Sequence, residues 1–186
     1  TNVLGTLYVL EAARKCKNMK VFINVTTDKV YENGETLKSY KENDRLGGFD
    51  LYSSSKACSE ILTSAYRNSF LENNFLLTTV RAGNVIGGGD WAMYRLIPDI
   101  MIAASQNNIC KIRNPNSIRP WQHVLDPLSG YLLLGQKLLE NKKEFIGAWN
   151  FGPAQNNGIT VKKLLQKSKK EWDNIQLSFI EDNDFH

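Results

Sequence analysis

The sequence predicts an α/β fold in which a parallel sheet is joined by crossover helices. Three observations carry the prediction. Val21–Val25 is a short, mainly apolar run of strand length, and residues 76–81 are a second β run. Between them lies a stretch with Ala57, Ile61, Leu62 and Ala65 at helical spacing, and strands alternating with helices indicate parallel pairing. Chemistry-bearing residues follow each run: Thr26, Thr27, Asp28 and Lys29 after the first, Ala82 to Asp90 with four glycines after the second. In open parallel sheets ligands gather outside the carboxyl ends of the strands, so the two stretches are expected to meet there.

Taken in order, residues 2–17 read as an amphipathic helix with Val3, Leu4, Leu7 and Leu10 on one side. Residues 20–25 read as a buried strand, and 32–49 as a polar, glycine-containing loop long enough to carry function. Asp50 is placed to cap a helix running to about Leu71, with Ala57, Ile61, Leu62 and Ala65 as its apolar side. Residues 75–80 form the next strand. Gly83, Gly87, Gly88 and Gly89 follow it; glycine admits positive φ and lets backbone approach a ligand, although a flexible turn has the same composition. Beyond Trp91 the alternation loosens. The expectations there are a helix at 95–105, a short strand at 108–113, a turn at 114–120 and a short strand at 121–125. A helix capped by Asp126 and reaching Glu140 follows, then a strand Ala148–Phe151, a helix at 159–172 and a strand at 176–180.

At 186 residues, 42% hydrophobic and 23% charged, the chain has the make-up of a globular protein with a core. Net charge is +4, with interspersed charges. The densest basic run (Lys162, Lys163, Lys167, Lys169, Lys170) has no interleaved aromatics, so it reads as a solvated helix face rather than a nucleic-acid patch. Cys16, Cys58 and Cys110 are odd in number and lack metal spacing, which fits a reducing cytoplasm rather than a disulfide framework. Two histidines, His123 and His186, make a histidine-based metal site unexpected, and His123 reads as structural. There is no apolar run near the length needed to span a membrane. The chain opens at Thr1 inside a helical pattern, and no glycine-rich dinucleotide fingerprint precedes Thr26. It is therefore expected to be a piece of a longer chain, and the piece alone to be inactive.

Tyr52 and Lys56 are four apart at the start of the second helix, which puts phenol and ammonium on one face. A nearby cation favours the phenolate, making Tyr52 a candidate general base supported by Thr27, with Asp28 and Lys29 available for further proton transfers. A helix tyrosine beside a solvated lysine is the plainer reading of that pair alone, and a turn ion pair the plainer reading of Asp28 and Lys29. The order of strand, Thr-Asp-Lys, loop, helix, strand and glycine tract adds what the pair lacks. Arg119 presents forked donors that match phosphate oxygens; its plainer reading is a surface arginine beside a proline.

TTDKVYEN, YSSSKACSE, RAGNVIGGGDW and SIRPWQHVLDPLSGYLLLGQKLL together resemble the extended short-chain dehydrogenase/reductase superfamily. Thr-Asp-Lys followed by Tyr-x-x-x-Lys looks like its CDP-glucose 4,6-dehydratase branch. The resemblance implies that 1–92 is the C-terminal part of an NAD-binding Rossmann-like domain. It makes 93–186 mainly a sugar-nucleotide-binding domain, with a return to the sheet near 120–151. It implies NAD as cofactor and CDP-glucose as substrate, dehydrated to the 4-keto-6-deoxy sugar used in deoxysugar and lipopolysaccharide synthesis. Tyr52 would act at the C4 hydroxyl with Thr27, and Lys56 would hold the nicotinamide ribose. Asp28 would protonate the leaving C6 oxygen, and Lys29 would remove the C5 proton, where other branches carry Glu. Ala82 and Val85 would lie near the nicotinamide, Asn84 and Arg119 at the phosphates, and Arg95, Leu96 and Asn114 near the base. A homodimer through the helices at 2–17 and 50–71 is also implied, with Cys58, Ile61 and Leu62 open to serve that interface or the core. A 4-epimerase, a dehydratase of another nucleotide sugar, and a non-catalytic binding module are the rival readings.

Overall fold

The structure, a computed structural model, describes residues 1–32, 39–70, 75–153 and 158–179. Leu71, Ile180 and His186, and residues 33–38 of the expected loop, lie outside the described residues. In chain order the elements are α1 (Asn2–Lys15), β1 (Val21–Val25), α2 (Leu51–Ser69), β2 (Leu76–Ala82), β3 (Val85–Ile86), α3 (Leu96–Ser105), β4 (Ile109–Ile112), β5 (Ile118–Arg119) and β6 (Gln122–His123). They continue with α4 (Leu125–Leu139), β7 (Ala148–Phe151), β8 (Ile159–Thr160), α5 (Val161–Glu171) and β9 (Gln176–Phe179). Among the described residues no helix is long and apolar enough to cross a membrane.

The chain divides into two compact units. One comprises Thr1–Gly83 and Leu125–Gly152, the other Asn84–Val124 and the described part of Pro153–His186.

In the first unit, β1, β2 and β7 form a parallel sheet in the order β1-β2-β7, with Val25 opposite Val80 and Ala82 opposite Phe151. Side chains of a strand alternate between faces, and that alternation sorts the core into two layers. Val21, Ile23, Leu76, Val80, Trp149 and Phe151 pack with Leu134 and Leu138 of α4. Phe22, Phe75 and Leu77 pack with Leu10 and Ala13 of α1 and with Leu62 and Tyr66 of α2. The sheet is thus covered on both faces, as parallel sheets require. Helices α1 and α2 are also joined by a polar seam: Asn2 Nδ2 donates to Ser55 Oγ (2.9 Å), the Thr6 and Ser59 hydroxyls bond each other (2.7 Å), and the Tyr66 hydroxyl donates to Glu11 (2.6 Å).

In the second unit, Ile100, Ala104, Cys110, Ile112, Val161, Leu165 and Ile175 form the core. Its strands pair two by two: β3 with β6 and β4 with β9 in parallel, β5 with β8 antiparallel. The lysines of α5 are all exposed. Asn107 (φ 54°) and Asn141 (φ 59°) stand just beyond the ends of α3 and α4, where a left-handed residue closes a helix and asparagine tolerates it.

Four expectations need correction. Ile61 and Ala65 are exposed, and the buried face of α2 is Ser53, Ala57, Ser59, Glu60 and Thr63, because this helix meets its neighbours through hydrogen bonds as much as apolar contact. Asp126 lies inside the first turn of α4, which starts at Leu125, so it favours the positive end of the helix dipole without capping it. Residues 118–119 are a strand within the expected turn, and 159–160 a strand where helix was expected. The backbone of 118–119 is pinned by pairing with 159–160, a partner far off in sequence.

Candidate active site

Thr26 N–H donates to Val80 O (2.9 Å), carrying the pairing of β1 one residue past the strand. Thr27 then caps a 3-10 turn, Asp28–Val30: Lys29 N–H approaches Thr27 Oγ1 at 3.4 Å, and the Thr27 hydroxyl donates to Asp28 Oδ1 (3.2 Å). Thr27 is buried, Asp28 half-buried and Lys29 exposed, all at the carboxyl end of β1.

Helix α2 starts beside this turn. Asp50 caps it as expected, accepting from Ser53 N (2.9 Å) and Ser53 Oγ (2.8 Å). Those bonds hold the Asp50 carboxyl below its ordinary pKa, and the charge of Lys29 acts in the same direction. Lys56 is half-buried, and its ammonium donates to Val25 O (3.2 Å), which brings it to the end of β1. Tyr52, one turn earlier, is 49% exposed. Thr27, Asp28, Lys29, Tyr52 and Lys56 are therefore gathered around one strand end in one unit.

Beneath them lies a buried polar network that sequence reading missed. Glu60 and Arg81 are 2% and 3% exposed and form an ion pair at 2.7 Å. Glu60 also accepts from the hydroxyls of Thr26 and Thr79. Arg81 Nη1 donates to Tyr31 Oη (2.9 Å) and Glu42 O (3.1 Å), and the Tyr31 hydroxyl donates to Asn150 Oδ1 (2.6 Å). Burial opposes the Arg81 charge, but Glu60 outweighs it and holds the guanidinium pKa above its ordinary value. Burial likewise raises the Tyr31 pKa, against the pull of Arg81. The available signal was a glutamate one turn beyond Lys56 and an arginine inside a strand, since neither residue type is buried unless paired.

Gly48 closes the loop onto α2. At φ +95° it occupies the left-handed region, and a Cβ there would stand 2.5 Å from Ser53 C and 2.6 Å from Ser54 N.

Ala82 ends β2, half-buried. In the second unit the Asn84 carbonyl accepts from Gln122 N (3.0 Å), and Val85 follows on β3, 37% exposed. Gly87, Gly88 and Gly89, with Trp91, Ile97 and Met101, line a cleft of ≈ 130 Å³. Tyr94, just past it, adopts φ 63°, an uncommon conformation for a bulky residue that marks local strain. Arg95 pairs with Asp90 at 3.3 Å, and Leu96 packs on the core. The Arg119 guanidinium is exposed, donates to Ile118 O (3.0 Å), and meets no carboxylate among the described residues.

A profile of the NAD dependent epimerase/dehydratase family matches residues 1–152. The chain is 48% identical over 178 residues to the CDP-glucose 4,6-dehydratase of Salmonella typhimurium, covering 92% of this chain and 50% of that protein. It is 30% identical over 149 residues to the dTDP-D-glucose 4,6-dehydratase of Dictyostelium discoideum, covering 73% of this chain and 33% of that protein. Among solved structures, the dTDP-glucose 4,6-dehydratase from Bacillus anthracis in complex with NAD superposes with a TM-score of 0.76 at 24% identity, covering 97% of this chain and 56% of that one. The UDP-glucuronic acid 4-epimerase from Bacillus cereus with UDP-glucuronic acid and NAD gives 0.77 at 21% identity, covering 97% and 55%. These structural likenesses establish the fold. The chain spans about half the length of the first of these relatives.

Proposed function

The chain belongs to the NAD dependent epimerase/dehydratase family, and on that premise we propose that its protein is a sugar-nucleotide 4,6-dehydratase acting on CDP-glucose. The observation that carries the reading is the placement of Thr27, Asp28 and Lys29 at the end of the strand to which Lys56 is bonded, one helical turn from Tyr52. An epimerase has no use for an acid and a base beyond the tyrosine. Asp28 followed by Lys29 supplies both, and 48% identity to a CDP-glucose 4,6-dehydratase supports the same substrate.

The residues fit NAD in two respects: Lys56 puts a cation at the carboxyl end of the sheet, and Ala82 is small where β2 ends. Tyr52, Lys56, Ala82 and Val85 would hold it. Bound NAD supplies the hydride acceptor for oxidation at sugar C4 and the donor for the later reduction at C6. Tyr52 takes the proton of the C4 hydroxyl, with Thr27 hydrogen-bonding at the same oxygen. The 4-keto group acidifies the C5 proton, which Lys29 removes and gives back to C5 when C6 is reduced. Asp28 gives a proton to the C6 oxygen, which leaves as water. Asn84 and Arg119 bind the diphosphate, and Arg95 and Leu96, beside the glycine-lined cleft, adjoin the base.

The protein is further proposed to work in the cytoplasm and as a homodimer. Exposed Leu4, Tyr8 and Ile61 on α1 and α2 support the dimer.

The test is an end-point assay of the chain within a polypeptide of its relatives' full length, with NAD and, separately, CDP-, dTDP-, UDP- and GDP-linked hexoses. Mass and NMR should show loss of one water from CDP-glucose. Tyr52→Phe should abolish it, and Lys29→Ala should slow it by about a hundredfold or more. Isomerisation without water loss would replace the proposal with an epimerase, and absence of turnover would leave a binding module.

A further inference from the structure

Three consecutive residues at the end of β1 are each hydrogen-bonded to α2. Asn24 Nδ2 donates to Thr63 Oγ1 (2.8 Å) and to Ser59 Oγ (3.2 Å). Val25 O accepts from Lys56 Nζ (3.2 Å). Thr26 Oγ1 donates to Glu60 Oε1. The ladder stops one residue short of Thr27. Its last rung is a carboxylate that also accepts from Thr79 Oγ1 (2.8 Å) and Arg81 Nη2 (2.7 Å), so Glu60 joins α2 to the end of β1 and to β2.

We propose that Glu60, held by Arg81, is a positioning residue: its carboxylate ties Thr26 to α2 and so fixes where Thr27 stands relative to Tyr52 and Lys56. This rests on the roles given above to those three residues.

Economy of stability does not explain the pair. Two charges withdrawn from water are often no more stabilising than apolar side chains of the same volume. The rest of the interface between α2 and the sheet already has apolar contacts, from Leu62 and Tyr66 to Phe22 and Leu77. What a buried carboxylate with three donors adds is direction. Apolar packing lets a helix slide by fractions of an ångström, whereas a hydrogen bond to each of Thr26, Thr79 and Arg81 admits one placement. Reacting groups are sensitive to displacements of that size, and about 1 Å of misplacement can cost about a hundredfold in rate. The far side of Arg81 is fixed as well, by Tyr31 and the Glu42 carbonyl. The anchor therefore does not move with α2 alone.

The experiment compares Thr26→Val, Thr26→Ser and Glu60→Gln with the parent in two settings. In the 186-residue chain, fluorotyrosine labelling reports on Tyr52, its ¹⁹F signal assigned by loss in Tyr52→Phe, and amide exchange reports on residues 26–29. Thr26→Val and Glu60→Gln should shift and broaden the Tyr52 signal and speed exchange at Thr27 by about tenfold, as expected for one lost hydrogen bond; Thr26→Ser should restore both. In the full-length polypeptide, Thr26→Val should lower kcat by about tenfold to a hundredfold while KM stays within about threefold. If Thr26→Val lowers the melting temperature but leaves the Tyr52 signal and Thr27 exchange as in the parent, Glu60 is a stabiliser only and the proposal is overturned. Should Glu60→Gln fail to fold, the Val and Ser variants of Thr26 decide alone. Should the full-length polypeptide dehydrate no sugar nucleotide, the functional reading fails while the ¹⁹F and exchange results still decide the positioning.

Discussion

Gly48 offers the sharpest test of how the loop seats α2. Replacing it with alanine has two consequences. The residue holds φ +95°, and a side chain in the left-handed region costs about 1–2 kcal/mol. The new methyl would also lie 2.5 Å from Ser53 C, 2.6 Å from Ser54 N and 2.8 Å from Ser53 Cβ. These are backbone and root atoms of the first helical turn, so no rotamer change relieves the clash, and loop and helix must separate by about an ångström. Separation breaks the bond from Ser54 Oγ to Gly48 O (3.0 Å) and strains that from Ser54 N to Asp50 O (2.9 Å), each worth about 1 kcal/mol. The expected loss is about 3 kcal/mol, or roughly 6–12 °C in Tm for a chain of this size. Urea and thermal unfolding followed by circular dichroism measure it. A Gly48→Ala variant within about 1 kcal/mol of the parent would refute the argument that this glycine is required by close backbone approach.

Gly5 predicts the opposite sign. It lies within α1, and a Cβ added there would meet nothing within 4 Å, so Gly5→Ala should stabilise by about 0.5–1 kcal/mol in the same assay. Leu165 is fully buried among Ile100, Ile112 and Ile175, and Leu165→Ala should cost about 2–5 kcal/mol in urea unfolding. Glu11 sets a pH window. Hydrogen bonds from Arg14 and then Tyr66 lower its carboxyl from 4.5 to about 2. Its contribution to the seam of α1 and α2 is therefore full above pH 4.5 and fades as pH falls toward 2. Melting curves across that range should converge for the parent and Glu11→Gln at the acid end, and NMR titration of the carboxyl gives the midpoint directly.

The α/β class and the strands of the first unit were legible because short runs of strand length alternate with helical spacing, a pattern that needs only local sequence to declare itself. Asp50 as a cap, and Tyr52 with Lys56 one turn apart, were legible for the same reason: helix geometry alone relates them. What escaped depended on partners distant along the chain. Ile61 looked like core by periodicity, yet the side of α2 that is buried is the one that finds Asn24, Thr26 and Arg81. Glu60 carried no apolar signal at all. Residues 118–119 pair with 159–160, which no local pattern announces. In the second unit Arg119 was singled out from its segment, but its guanidinium setting (exposed, bonded to its neighbour's carbonyl) is fixed by how the strand folds, not by the segment.

The two-unit division has a consequence for the order in which the chain is made. The sheet of the first unit takes β1 and β2 from before Gly83 and β7 from after Leu125. A ribosome releases all of Asn84–Val124 before Gly147 can receive the bonds of Thr78 Oγ1 (2.6 Å) and Thr79 N (2.9 Å). At about 5–20 residues per second, that leaves the second edge of β2 without its neighbour for some seconds. During that time Thr78 and Thr79, fully buried in the finished unit, are open to any strand that arrives first. The second unit waits in turn, since β4 pairs with β9. Each unit therefore closes only after its last strand has been made, and conditions that slow elongation across 84–124 should raise aggregation of the nascent chain without any change in the stability of the finished one.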